Sequence, residues 1–392
     1  MTPAARIQTA IELLDRILAG AAAEQVLTTW ARGNRFAGSS DRAAIRDHVF
    51  DALRCQRSYA ARGGALNGRG LMLGALAEQG VAPETLFTGA RHAPTPPSAQ
   101  EQRTLAQPAA ISPEVALDVP DWLAPALQRS LGADYPAVMA ALRQRAPVFL
   151  RVNLARTTAA EAITALAAEG IAAGPHPLAS TALEVTQNAR KIQGSAAYAE
   201  GLVELQDAAS QAVVEMLPLN PGDRVLDYCA GGGGKSLAMA ARAPLESFAH
   251  DAEPGRMRDL PPRAARAGVA VRCLDRATAR RLAPFDLVLT DVPCSGSGSW
   301  RRAPEAKWRL TAARLSELTE LQAAILREAA ALVRPGGWLA YATCSLLATE
   351  NADQVDRFLH ENKDWRLGAA RRLTPLDGGD GFFCALLQHE RT

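Results

Sequence analysis

The sequence predicts a multidomain chain with three folded parts: an all-α domain over residues 1–91, a small α+β domain over 121–200 behind a proline-rich linker at 92–120, and an α/β domain over 201–392. Three observations predict it. No strand pattern occurs before about residue 90, where apolar residues recur only at helical spacing. From about Gly201 onward strands and helices alternate in the rhythm of a parallel sheet. Within that last part, a glycine run and two cysteines fall directly after apolar, strand-like segments, at the sheet edge where open α/β folds bind ligands.

The composition sets limits on function. The chain has 392 residues, 48% of them hydrophobic, which is ample for more than one packed core. A formal charge of +2 excludes a uniformly basic nucleic-acid binder, so any basic surface is local. The six cysteines, at positions 55, 229, 273, 294, 344 and 384, contain no C-x-x-C pair. That spacing argues against a zinc site and a disulfide framework, so no metal is expected and reduced thiols in a cytoplasmic protein are. Met1 to Leu18 has no continuous apolar run, so neither a signal peptide nor a membrane span is expected.

In chain order, Ile7, Ile11, Leu14, Ile17 and Leu18 form one face of a first helix that ends at Gly20. Ser40 and Asp41 offer an N-cap to a second, whose Ile45, Val49, Ala52 and Leu53 lie opposite Arg42, Arg46, Arg54 and Arg57. Pro94, Pro96, Pro97, Pro108, Pro113 and Pro120 then mark the linker, because proline donates no backbone hydrogen bond and stiffens the chain. A helical segment from Asp121 leads to the alternating strand Val148 to Asn153, a helix from about Thr158 to Ala168 closed by Gly170, and a strand around Leu183 to Thr186. Arg151, Arg156, Arg190 and Lys191 are candidate phosphate contacts there, with solvated surface as the alternative.

In the third part, Arg224 to Tyr228 reads as a strand running into Cys229, Ala230, Gly231, Gly232, Gly233, Gly234 and Lys235, and then a helix of small residues. Such a turn brings backbone amides close to a ligand. It is not a phosphate loop, whose first glycine would fall on Cys229, and it fails the dinucleotide pattern, whose third glycine would fall on Ser236 or Leu237. Asp251 closes the next strand, where an acid accepts hydrogen bonds from a ribose diol; a turn or helix cap before Glu253-Pro254 is the alternative. A ribose without a pyrophosphate points to S-adenosylmethionine. Asp275 closes a plausible third strand and is either a further cofactor contact or a helix cap.

Cys294, in Asp291-Val292-Pro293-Cys294-Ser295-Gly296, and Cys344, in Thr343-Cys344-Ser345, follow the strands Phe285 to Leu289 and Trp338 to Ala342. Alone, either reads as a small buried hydrophobe. A pair at equivalent strand ends points to nucleophilic chemistry, since a thiolate attacks electron-poor carbon near neutral pH. Arg301, Arg302, Lys307 and Arg309 face a single acid, Glu305, directly after the Cys294 turn, and read as an RNA-backbone contact. Trp300 and Trp308 either stack on bases or pack. The apolar stripe Leu315, Leu318, Ile325, Ala329 and Leu332 is a core-facing helix.

These motifs together resemble the bacterial ribosomal RNA 5-methylcytosine methyltransferases of the RsmB (Sun/Fmu) type. The carrying segments are Leu226 to Lys235, Asp291 to Gly296 with Arg301-Arg302 behind it, Thr343-Cys344-Ser345 followed by Glu350-Asn351, and Gln206 to Gln211. One departure is the four-glycine run, where the family usually has Ala-Pro; it predicts a more flexible loop. The resemblance implies a NusB-like helical domain, a small RNA-binding middle domain and a Rossmann-like class I methyltransferase core. It implies S-adenosylmethionine bound by Cys229 to Lys235, Asp251, Asp275 and Asp291, and ribosomal RNA as partner, with Arg151, Arg301, Arg302 and Lys307 on its backbone. It further implies attack on cytosine carbon 6 by Cys344, release assisted by Cys294, and Asp291 on the base. A monomer is expected. The alternatives are the same chemistry on transfer RNA, an inactive methyltransferase-fold RNA-binding assembly factor, which needs neither thiol, and a phosphate-loop hydrolase, which the Cys229 mismatch disfavours.

Overall fold

The computed structural model describes residues 1–107 and 110–390, so Pro108 of the expected linker and the last two residues of the third domain lie outside the described residues. The chain forms two compact units. The first comprises Met1–Arg145 together with Trp300–Arg309, the second Ala146–Ser299 and Leu310 onward.

The first unit is helical, as expected for its N-terminal part. Helices Pro3–Leu18, Ala23–Gly33, Ser39–Arg54, Gln56–Gly63 and Gly68–Glu78 close on a core that includes Ile7, Leu14, Ile45, Val49, Leu53, Leu71 and Leu73. The last two helices touch backbone to backbone: a Cβ on Gly63 would lie 1.8 Å from the Gly70 carbonyl oxygen, and one on Gly74 would lie 2.0 Å from that of Tyr59. Asp41 is not the N-cap. Helix Ser39–Arg54 starts before both Ser40 and Asp41, with Gly38 as its cap, and the Asp41 carboxylate accepts the Gly38 N–H at 3.2 Å while pairing with Arg6.

The 92–120 stretch is not an unstructured linker. Helix Ala99–Ala106 is capped by Ser98 and Glu101, and Pro113 opens helix Pro113–Ala116 with Ser112 as its cap. Proline is favoured at a helix's first position, where its missing N–H is not needed. Two side chains hold the stretch in the unit. Arg69 pairs with Glu101 at 2.7 Å and donates to the Thr95 and Pro96 carbonyls. The fully buried Asp118 accepts the N–H groups of Arg57 and Ser58, the Ser58 hydroxyl and Arg143 Nε, all at 2.8–2.9 Å. Helices Ala124–Leu131 and Tyr135–Leu142 lie in this unit too, which runs to Arg145.

The second unit contains two sheets. Strands β1 (Val148–Val152), β2 (Ala172–Pro175), β3 (Ala182–Gln187) and β4 (Val203–Leu205) form an antiparallel sheet in the order β2-β3-β1-β4. The larger sheet has β5 (Arg224–Asp227), β6 (Glu246–His250), β7 (Arg272–Leu274), β8 (Phe285–Asp291), β9 (Val333–Thr343), β10 (Trp365–Leu373) and β11 (Phe382–His389), in the order β10-β11-β9-β8-β5-β6-β7. The five strands from β9 across to β7 are parallel, and β11 and β10 add antiparallel to that edge. The sheet is therefore mixed, not wholly parallel. From β5 the chain winds outward through β6 and β7, then returns to the other side of β5 for β8. This order reversal makes a crevice at the carboxyl ends of β5 and β8, where such folds place ligands. Pairing of Asp227 with Leu289 and of Asp291 with Ala342 brings the ends of β5, β8 and β9 nearly level.

Candidate active site

The glycine turn follows β5 and leads into helix Gly234–Arg242. Gly231 and Gly233 have φ of +51° and +79°, a region in which a side chain is strained, and a Cβ on Gly233 would lie 2.2 Å from Leu260 Cδ1. Hydrogen bonds tether the four-glycine run along its length. Asp251 Oδ2 accepts the Gly231 N–H at 2.9 Å, Arg263 donates to the Gly232 carbonyl, and Arg151 Nη1 donates to the Gly234 carbonyl at 2.6 Å. Asp251 is buried, and its Oδ1 accepts the Glu253 N–H at 2.9 Å. Oδ2 also pairs with Arg256 Nη1 at 3.5 Å, so this carboxylate shapes the turn while its Oδ1 keeps a lone pair that can accept from a diol. Asp275 is exposed and caps helix Arg276–Leu282, accepting the Thr278 N–H at 2.6 Å; that hydrogen bond holds its carboxyl below the ordinary carboxylate range.

The two thiols meet. Cys294 Sγ and Cys344 Sγ lie 3.4 Å apart, both partly accessible, on the turns that leave β8 and β9. The hydrogen bond it shares with Cys344, then burial, push the Cys294 thiol well above its usual range, so Cys294 is held as a thiol. Burial, then the neighbouring acids, push the Cys229 thiol above its usual range. Beside the pair, Lys235 Nζ donates to Asp291 Oδ2 at 2.6 Å. Burial alone pulls the Lys235 pKa down, but Asp291 and Asp227 outweigh it, and the group is an ammonium.

Two acids were quoted in the sequence motifs without a role. Asp227, which ends β5, is buried with its carboxyl pushed up to about 7, chiefly by burial; Ser236 Oγ donates to its Oδ2 at 2.6 Å, and its Oδ1 has no hydrogen-bond partner among the described residues. Glu350 is fully buried beneath the two cysteine turns. The signal for Glu350 was an acid in the apolar stretch after Cys344, together with a serine directly after each cysteine; residue spacing does not show that these converge.

The basic residues expected on RNA are mostly elsewhere. Trp300–Arg309 packs inside the first unit. Arg301 and Lys307 are buried, Lys307 Nζ donates to the Arg54 carbonyl at 3.1 Å, and Trp308 Nε1 donates to that of Leu53 at 2.7 Å. These carbonyls end helix Ser39–Arg54 and lack helical partners, so the segment caps that helix rather than presenting charge to a polyanion. Burial pulls the Lys307 pKa down to about 8. Trp300 is buried and packs. Arg151 is buried as well and spends its guanidinium on Gln206 and the glycine turn, which corrects its assignment to RNA; burial lowers its pKa to about 10. Of the basic residues expected on RNA, Arg302 and Arg309 are exposed, and Arg309 donates to the Gly20 and Ala21 carbonyls.

Among the described residues no helix is long and apolar enough to cross a membrane, and no group of three or more His, Cys, Asp or Glu is placed to hold a metal. Comparison with known proteins bears on this site directly. Residues 214–388 match the family model "16S rRNA methyltransferase RsmB/F", and residues 119–192 match its ferredoxin-like domain, which contains most of the antiparallel sheet. The chain is 36% identical to ribosomal RNA small subunit methyltransferase B of Xanthomonas campestris pv. campestris over 298 residues, covering 70% of this chain and 68% of that one. It is 32% identical to the same-named protein of Serratia proteamaculans, covering 68% and 66%. A methyltransferase homolog from Pyrococcus horikoshii, 23% identical, superposes with a TM-score of 0.61 over 70% of this chain and 97% of that one, and so shares the fold. With the thiol pair and glycine turn at the carboxyl edge of its mixed sheet, the chain belongs to the RsmB/F methyltransferase family.

Proposed function

We propose that this methyltransferase forms 5-methylcytosine in 16S ribosomal RNA, in the cytoplasm, by covalent catalysis with S-adenosylmethionine as donor. The observation that carries the proposal is the 3.4 Å approach of two thiols beyond adjacent strand ends. The residues fit the donor: Gly231 and Gly233 let the backbone approach it, Asp251 accepts from its ribose, and Lys235 and Asp291 line the side toward the thiols. When bound, it supplies the electrophilic methyl group that carbon 5 takes up. Asp275 is the weakest of the implied contacts, being already spent on a helix cap.

Cytosine carbon 5 is a poor nucleophile until the ring's conjugation is broken, and the Cys344 thiolate breaks it by bonding to carbon 6. Asp291 keeps its Oδ1 for the exocyclic amine while Lys235 holds Oδ2, steadying the base as charge builds. Once the Cys344 sulfur is a thioether, Cys294 no longer shares a hydrogen bond with a titrating thiol. Cys294 releases its own proton to solvent through its accessible side and as thiolate takes the carbon 5 proton, whose departure re-forms the ring's double bond and expels Cys344 as thiolate. The target base must leave its stack to reach this crevice, and we assign the antiparallel sheet and the helical unit, the latter as a NusB-like domain, to holding the flanking RNA. A dormant assembly factor would need no such thiol pair.

Bisulfite sequencing of RNA from a deletion strain against its parent tests the reaction and the substrate together. One protected cytosine in 16S RNA is expected to be lost. Loss in transfer RNA instead would overturn the substrate, and loss nowhere would overturn the reaction. The donor is tested by calorimetry. Asp251→Ala removes charge-assisted hydrogen bonds of about 1.5–3 kcal/mol, so affinity for S-adenosylmethionine should fall by roughly one to two decades in a folded variant. An unchanged Kd would remove Asp251 from the site.

A further inference from the structure

We propose that Glu350 is the positioning residue that sets the distance between Cys294 and Cys344, an inference that rests on the covalent reading of the site above. Ser295 and Ser345, the residues directly after the two cysteines, converge on this one carboxylate. Oε1 accepts the Ser295 N–H at 2.8 Å and Gln322 Nε2 at 3.0 Å, and Oε2 accepts Ser295 Oγ and Ser345 Oγ, each at 2.5 Å. The carboxylate is fully buried, and four donors match its four lone-pair sites.

The surrounding bonds turn this point of attachment into a rigid bridge. Ser297 Oγ lies 3.0 Å from Ser345 Oγ and accepts the Leu346 N–H at 2.8 Å, while the Gly298 N–H donates to the Cys344 carbonyl at 2.9 Å. On the Cys294 side, Gln322 Nε2 also donates to the Pro293 carbonyl at 2.9 Å. On the Cys344 side, Asn351 accepts from Thr343 Oγ1 at 2.5 Å and donates to the Ser345 carbonyl at 2.9 Å. The turns thus have one common anchor, one residue removed from each sulfur. Attack at carbon 6 and proton removal at carbon 5 involve neighbouring ring atoms, so the two sulfurs must be held side by side while the base is bound. Only a carboxylate meets four converging donors. An amide of the same shape turns two of its own donors toward them, and both serines must reverse their hydroxyls.

Glu350→Gln tests this, with two readouts. Phenylarsine oxide, which bridges two adjacent thiols with release of water, reports the sulfur spacing without any RNA; Cys294→Ala marks the signal lost when one thiol is missing. Glu350→Gln is expected to capture the arsenical about tenfold more weakly, and to lower kcat for methylation by about tenfold or more with KM for RNA unchanged. Covalent protein–RNA adduct should persist in the variant, because attack continues while proton removal is misaligned. Melting temperature and S-adenosylmethionine affinity should stay near wild type. Should Glu350→Gln fail to fold, Ser345→Ala removes one of the four donors and carries the same expectation at smaller size. Wild-type capture and turnover in a folded variant would overturn the proposal, as would loss of capture only in step with cofactor binding and melting temperature. Capture decides the positioning role, whereas the identity of the wild-type product decides the 5-methylcytosine reading.

Discussion

Cys344→Ala is expected to form no covalent adduct with target RNA and no methylated product, whereas Cys294→Ala should accumulate the adduct as a shifted band on a denaturing gel. The thiols are equivalent in position but not in role. Cys294 is pushed up by its contact with Cys344 and by burial, so it holds its proton while Cys344 attacks. Removing the attacker removes the covalent path altogether, and losses on the order of 10⁴-fold or more accompany deletion of an enzymic nucleophile. Removing Cys294 leaves attack and methyl uptake in place but takes away the group placed to collect the carbon 5 proton, a role worth roughly 10²–10⁴-fold in rate. Turnover therefore stalls with RNA still attached. The reverse pattern, adduct with Cys344→Ala and none with Cys294→Ala, would exchange the two roles. Full activity in both variants would eliminate covalent catalysis.

Asp118→Ala should destabilise the helical unit by about 3–5 kcal/mol, because the Arg57 and Ser58 N–H groups and the Ser58 hydroxyl each lose an acceptor at about 1–3 kcal/mol per buried group. The carboxylate is fully buried and takes four hydrogen bonds, two of them from the first N–H groups of helix Gln56–Gly63 and one from Arg143 Nε. Its φ of 55° adds strain for alanine that asparagine tolerates better, so Asp118→Asn should cost less. Calorimetry of the intact chain is the measurement. For a unit of this size the expected drop in the helical unit's transition is on the order of 10 °C. A linker residue would cost within about 0.5 kcal/mol, so a silent substitution would restore the linker that the prolines predict.

Much of the catalytic unit was legible because its signals are local. The runs Arg224 to Tyr228, Ser247 to His250 and Phe285 to Leu289 predict β5, β6 and β8, and a glycine run between a strand and a helix predicts a ligand-facing turn, since each depends on residues adjacent in sequence. The strand ends that carry Cys294 and Cys344 follow the same rule, and parallel pairing of β8 with β9 places both at one edge. The α/β rhythm did not reveal that β11 and β10 close the sheet antiparallel, because strand direction is set by the connection, not by the composition of the strand.

Side chains whose partners lie far along the chain were decided only by the tertiary structure. Arg301, Lys307 and Arg151 look alike in sequence to any solvated basic residue; what holds the two from the basic stretch is helix Ser39–Arg54, more than two hundred residues away, whose Arg54 donates to the Arg301 carbonyl and whose terminal carbonyl accepts from Lys307. Prolines at 92–120 mark interruptions of regular structure equally well in a linker and in a packed strap, and Asp118 and Arg69 make this one a strap. Glu350 shows the same limit inside the active site. Residues 295, 322, 345 and 350 are scattered over three segments, and their convergence follows from the sheet that aligns the turns and the helix Ala312–Ala330 that delivers Gln322. Local sequence determines which residues a strand end presents, because backbone geometry is set residue by residue. Burial of a charge, and the role it leaves the charge able to play, depends on desolvation and hydrogen bonding across the whole fold.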